Sequence, residues 1–178
     1  MIQGAIVLIS LLFVAVTVNA AGPDTPETTV GSFYRTYADL HFSGLPDRSQ
    51  MKVLSRYLSP RLVALIQRAQ RAQKRFITTY PQEKPPLIEG DLFSSLFEGP
   101  TQFEIVRTGT DSGTTWVRIK FTFIDSRPNQ PSTTWEDRVL LTKQNPRWAI
   151  DDVEYLGGWD FAPKGRLSDA LQATGSNR

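Results

Sequence analysis

Trp116-Val117-Arg118-Ile119-Lys120-Phe121-Thr122-Phe123 is the stretch on which the reading of the fold turns. Val117, Ile119, Phe121 and Phe123 fall on one side of an extended chain, and Trp116, Arg118, Lys120 and Thr122 on the other. An apolar period of two is the signature of a strand with one face in a core and one in water. Similar segments flank it, at Phe103 to Thr108, Trp135 to Thr142 and Arg147 to Tyr155. They are separated by Gly109-Thr110-Asp111-Ser112-Gly113, by the region of Pro128-Asn129-Gln130-Pro131, and by Lys143-Gln144-Asn145-Pro146. Such short connections favour an antiparallel meander.

Upstream of the strands the period is helical. Thr25-Pro26-Glu27 opens a first helix: Thr25 is placed to cap, Pro26 fits the first turn and Glu27 sits favourably at the positive end of the helix dipole. Val30, Phe33, Tyr34 and Tyr37 form its apolar face, and the pattern stops before Gly44-Leu45-Pro46. A short helical turn is expected from about Ser49 through Leu54 to Leu58. Ser59-Pro60 then repeats the cap-plus-proline signal, ahead of an apolar stripe of Leu62, Leu65, Ile66, Ala69, Ala72 and Phe76 that ends before Pro81. Helices first and strands afterwards predict an α+β fold, with N-terminal helices packed on a curved, cone-like, antiparallel four-stranded sheet.

At the start of the chain, the uncharged apolar run from Ala5 to Val18 followed by Val18-Asn19-Ala20 reads as a secretory signal peptide cleaved before Ala21, the alternative being an uncleaved anchor, and Met1-Ile2-Gln3-Gly4 has no basic residue. The run is too short for a comfortable bilayer span. The expected location is therefore periplasmic or secreted, with no membrane span after cleavage. Residues 21–178 form one expected domain, large enough to bury about 70 % of its unfolded surface. A hydrophobic content of 40 % with four Trp and ten Phe argues against disorder. The chain contains no cysteine, which excludes disulfides, thiolate metal sites and a cysteine nucleophile. A net charge of +2 gives no reason to expect nucleic acid as a partner.

Charge is nevertheless unevenly distributed. No acidic residue occurs between Arg48 and Gln82, so the helix after Ser59 presents Arg61, Arg68, Arg71, Lys74 and Arg75 as a basic surface. That surface is either ordinary solvated helix or a docking face for an acidic protein, a lipid headgroup or an anionic envelope polymer. Between Pro85 and Pro100, Leu92, Phe93, Leu96 and Phe97 suit one amphipathic turn pinned to the core, flanked by Asp91 and Glu98. Those two carboxylates are expected to cap the turn or to bind a cation. In the tail, Leu156-Gly157-Gly158-Trp159-Asp160-Phe161 has glycines for a tight bend, with Trp159 and Phe161 able to fold back onto the sheet or the loop. Leu167 to Leu171 suit a short helix, and Gly175 to Arg178 a fraying end.

Three segments carry a resemblance. They are Pro26-Glu27-Thr28-Thr29-Val30-Gly31-Ser32-Phe33-Tyr34-Arg35-Thr36-Tyr37 with Tyr57-Leu58-Ser59-Pro60-Arg61-Leu62, then Gly90-Asp91-Leu92-Phe93-Ser94-Ser95-Leu96-Phe97-Glu98-Gly99, and lastly Trp148-Ala149-Ile150-Asp151-Asp152-Val153. Together they resemble the exported bacterial domain-of-unknown-function 3828 family, itself similar to the nuclear-transport-factor-2-like, or cystatin-like, cone superfamily. The resemblance implies a cone whose mouth can hold a small molecule, with no established activity attached.

Catalytic signals are sparse. The one histidine, His41, ends the first helix and reads as a cap or surface residue, although it could serve as a general base. No nucleophile elbow, phosphate-binding glycine loop or metal-ligand spacing occurs, and no cofactor is implied. Asp137, Asp151 and Asp152 lie in or beside strands, where a buried carboxylate could move a proton or pair with Arg118, Arg138 or Arg147. Tyr34 and Tyr37 are expected in the core, the alternative being donors of hydrogen bonds inside a cone.

The leading expectation is a non-enzymatic binding or protein-interaction module, one version being an envelope immunity-type protein. Its recognition surface would comprise Asp91, Phe93, Phe97, Glu98, Trp159, Asp160 and Phe161, meeting an envelope protein or a small ligand. The alternative is a small-molecule lyase, isomerase or hydrolase with a cone-interior carboxylate. A third is a homodimer formed through an open sheet face bearing Trp116 and Trp135.

Overall fold

The computed structural model describes residues 24–176 apart from Asn145. The expected signal peptide, Met1 to Ala20, lies outside the described residues. Helices α1 (Pro26–Leu40), α2 (Arg48–Leu54) and α3 (Pro60–Thr79) precede strands β1 (Gln102–Asp111), β2 (Thr114–Phe123), β3 (Thr133–Gln144) and β4 (Arg147–Glu154), and α4 (Leu167–Ser176) follows. The class is α+β, with one antiparallel four-stranded sheet in the order β1-β2-β3-β4. The sheet is open and does not close on itself.

Helix starts follow the capping chemistry. Thr25 accepts the Thr28 N–H at 3.2 Å and Ser59 accepts the Leu62 N–H at 3.0 Å, each just ahead of a proline at the first helical position. Asp47, unmarked in the sequence reading, caps α2 by accepting the Gln50 N–H at 2.8 Å. His41 ends α1 in the left-handed region, with φ of 43°.

Val30, Phe33, Tyr34 and Tyr37 of α1 pack on the inner face of the sheet, whose buried side chains include Val117, Ile119, Phe121, Val139 and Val153. Phe33 lies 4.9 Å from the Phe93 ring and Tyr34 5.1 Å from Phe121, both edge to face. Helix α3 buries Leu62, Ile66, Ala69 and Ala72. Leu65 and Phe76 sit at the margin of its stripe, half-buried. The link between α2 and α3 lies along the β4 edge, where Ile150 donates to Tyr57 O and accepts from Ser59 N, both at 2.8 Å.

Two expectations are corrected. Trp135 is buried and faces inward: it shares a strand face with Asp137, Val139 and Leu141, so it cannot belong to an outward dimer surface with Trp116. Helix α4 runs ten residues, Leu167–Ser176, past the expected end at Leu171, because Thr174 is also buried one turn on and its hydroxyl donates to Ala170 O at 3.1 Å.

Candidate functional site

The segment from Pro85 to Pro100 forms no regular helix; it is a loop held by its own hydrogen bonds and by three tyrosines. Asp91 N–H donates to Phe97 O at 2.8 Å and Gly99 N–H to Leu96 O at 3.0 Å. Tyr155 donates its hydroxyl to Leu92 O and Tyr34 to Phe93 O, both at 2.7 Å, and the Tyr37 hydroxyl bonds the Asp91 carboxylate. The loop also closes against the chain after α1. Gly44 N–H donates to Gly90 O at 2.8 Å, and a Cβ on Gly44 would stand 2.5 Å from Ile88 O, which makes glycine necessary there. Leu87 is held at φ of 53°, an unusual setting for a bulky side chain.

Asp137 joins this loop to the tail. Wholly buried, it accepts from Ser95 N (2.8 Å), the Ser95 hydroxyl, Trp135 Nε1 (3.1 Å) and Leu156 N (2.8 Å). Burial pushes its carboxyl above the usual range, against the pull of those donors. Gly157 N–H then donates to Ser95 Oγ at 3.1 Å, and Lys164 reaches back to Gly157 O and Trp159 O at 3.1 and 3.2 Å. The bend places Trp159 edge-on to Trp135 at 5.9 Å, with Phe161 6.1 Å beyond.

Loop and tail thus share one apolar groove of about 250 Å³, lined by Leu87, Leu92, Leu96, Phe97, Trp159 and Phe161 among others. Phe97 is 57 % and Phe161 83 % exposed. Of the residues expected to form a recognition surface, Phe97, Trp159, Phe161 and Asp91 meet at this groove. Asp160 and Glu98 are exposed beside it in sequence but do not line it. Phe93 is completely buried, packed on Phe33 and Tyr37, and belongs to the core.

Asp91 also faces a second cleft of about 360 Å³, shared with Tyr37, His41, Glu98 and Phe103. Burial raises its carboxyl to about 7, opposed by hydrogen bonds from Phe93, Tyr37 and Ser94. Among the described residues no group of histidine, aspartate and glutamate side chains is placed to hold a metal ion.

Asp151 and Asp152 lie elsewhere. The β3–β4 register slips between Leu140 and Leu141, a bulge that brings both carboxylates to Arg61. Arg61 Nε donates to Asp151 at 2.9 Å, while Asp152 accepts the Ser168 N–H and hydroxyl at 3.0 and 2.6 Å and so caps α4. Arg118 and Arg138 pair with Glu136 and Glu154 instead. Arg61 is therefore engaged within the fold, whereas Arg68, Arg71, Lys74 and Arg75 are exposed on α3. Sequence reasoning missed Ser95, Tyr155 and Lys164; the single hint was a serine pair embedded in the apolar run from Leu92 to Phe97.

The chain is similar to a curated protein of Escherichia coli (strain K12) named Uncharacterized lipoprotein YbjP, with 27 % identity over 151 residues that cover 83 % of this chain and 75 % of that protein. No family model and no solved structure matches the chain. No helix among the described residues is long and apolar enough to cross a membrane.

Proposed function

We propose that this chain is a non-enzymatic binding protein of the cell envelope, which takes an apolar segment of a partner protein into the groove between its loop and its tail. The observation that carries the reading is the pair Phe97 and Phe161: large, mostly exposed aromatic side chains on the lip of an apolar groove, mounted on segments that a buried carboxylate fixes. Aromatics carried on anchored segments around a pocket have the character of binding hot spots. The N-terminal apolar run supports export, and a relative named as a lipoprotein supports an envelope address. The resemblance to an exported cone-like domain family agrees with the same address.

Asp137 is a poor general base on this reading, because its carboxylate already accepts four hydrogen bonds. If the cleft beside His41 did chemistry, Asp91, near neutral in its proton affinity, would be the group to hold or release the proton.

The test is photocrosslinking in the source cells. A benzoylphenylalanine at position 161 or 97 is expected to give an adduct of one defined mass, and the same group at exposed Ser112, in the β1–β2 turn, none. Equal adducts at all three positions, or none at 97 and 161, would overturn the proposal.

A further inference from the structure

An open cleft of about 620 Å³ gathers three arginines that form no ion pair among the described residues. Ser32 and Arg35 come from α1, Arg56 and Tyr57 from the turn after α2, and Arg147 and Trp148 from the start of β4. Arg61, Arg118, Arg127 and Arg138 each pair with a carboxylate, whereas Arg35, Arg56 and Arg147 make no ion pair among the described residues. Asp24 is the acidic residue on the cleft wall, and each of its oxygens already accepts a hydrogen bond, from the Thr29 hydroxyl at 3.3 Å and the Trp148 N–H at 3.0 Å.

The guanidinium groups are anchored rather than loose. Arg56 Nε donates to Val53 O at 3.0 Å, Arg147 donates to Arg56 O, and Arg35 donates to Ser32 Oγ at 3.3 Å. Those bonds fix the charges while leaving most of the N–H groups of each fork available.

We propose that this cleft binds the phosphate group of an anionic membrane lipid. Guanidinium forks lining one cleft can match the oxygens of phosphate bidentately. Trp148 and Tyr57 add amphipathic rings of the kind that sit at a headgroup layer.

The test is flotation of the exported protein with vesicles of phosphatidylcholine, with and without phosphatidylglycerol. The protein is expected to float with the phosphatidylglycerol vesicles alone. R35Q/R56Q/R147Q weakens that association by at least about tenfold, while R68Q/R71Q/R75Q on α3 changes it by no more than about twofold. Arg56 and Arg147 also bond backbone carbonyls, so S32E, which keeps all three arginines and adds an acid to the cleft, is a second variant expected to abolish flotation. Equal loss in the α3 variant would reduce the effect to general surface charge and overturn the proposal, as would flotation unchanged in both cleft variants. Displacement by inorganic phosphate at constant ionic strength would assign the cleft to free phosphate and overturn the lipid source.

Discussion

The Asp137 carboxylate accepts the backbone N–H of Ser95 at 2.8 Å across 42 residues of sequence, in a site closed to solvent. The same carboxylate holds Leu156, so one side chain sets the position of both walls of the groove. Asp137→Ala strands the donors of Ser95, Trp135 and Leu156 and is expected to cost about 3–5 kcal/mol, whereas Asp137→Asn, which keeps part of the acceptor capacity, costs about 1–3 kcal/mol. Urea unfolding at neutral pH measures both. A negligible loss in Asp137→Ala would remove the carboxylate from its proposed positioning role.

Acidity provides a second expectation, at Asp91. Its carboxyl stands at about 7 in the folded protein, against about 3.9 in an unfolded chain. The native state therefore binds this proton more tightly. The resulting stability is fully present below pH 4 and is lost as pH rises through 7, with a ceiling of about 4 kcal/mol. Burial displaces Asp137 in the same direction. Unfolding at pH 5.5 is thus expected to need more urea than at pH 8, and Asp91→Asn to flatten that difference. A wild-type profile that the Asn variant leaves unchanged would contradict the assignment.

The tyrosine bonds to the loop backbone predict a graded loss. Tyr34→Phe leaves the buried Phe93 carbonyl without its donor, as Tyr155→Phe does for Leu92, and each is expected to cost about 1–3 kcal/mol. The carbonyls are adjacent, so the double variant should depart from additivity. Limited proteolysis should cut first between residues 85 and 100. Unchanged protection there would mean that the loop is held by its apolar side chains alone.

Gly157 and Gly158 provide an internal comparison. A Cβ on Gly157 would lie 2.8 Å from Ser95 Cβ and 3.1 Å from Ala162 Cβ, atoms too close to their own backbones to swing aside. Gly157→Ala is expected to destabilise by about 1–3 kcal/mol and to change the near-ultraviolet signal of Trp159. A Cβ on Gly158 meets nothing within 4 Å, so Gly158→Ala should stay within about 0.5 kcal/mol of wild type. Similar losses in both variants would contradict packing against Ser95 as the cause, since chain entropy alone would stabilise both.

Local chemistry was legible in the sequence, and long-range geometry was not. Thr25-Pro26 and Ser59-Pro60 announced two helix starts because a cap and its proline act within four residues. The alternation through Val117, Ile119 and Phe121 announced the strand that the sheet is built around. The run Trp135-Glu136-Asp137-Arg138 placed a charged residue on both faces, so period two could not say which way Trp135 points. The answer depends on donors from Ser95 and Leu156, brought in by other parts of the chain. The groove was half visible, since Phe97, Trp159 and Phe161 stood out by type while Phe93, equally apolar, went to the core. Arg35, Arg56 and Arg147 are scattered over more than a hundred positions, and only the fold gathers them around one cleft.

Native mass spectrometry of the protein, taken gently from the envelope fraction of its source cells, reads out whether the groove holds a partner protein when wild type is compared with Phe97→Ser/Phe161→Ser. Both side chains are largely exposed, so the double variant should fold with near-wild-type stability. The wild type is expected to carry a protein-sized partner mass that the variant lacks. The same mass retained by a folded double variant would overturn groove binding.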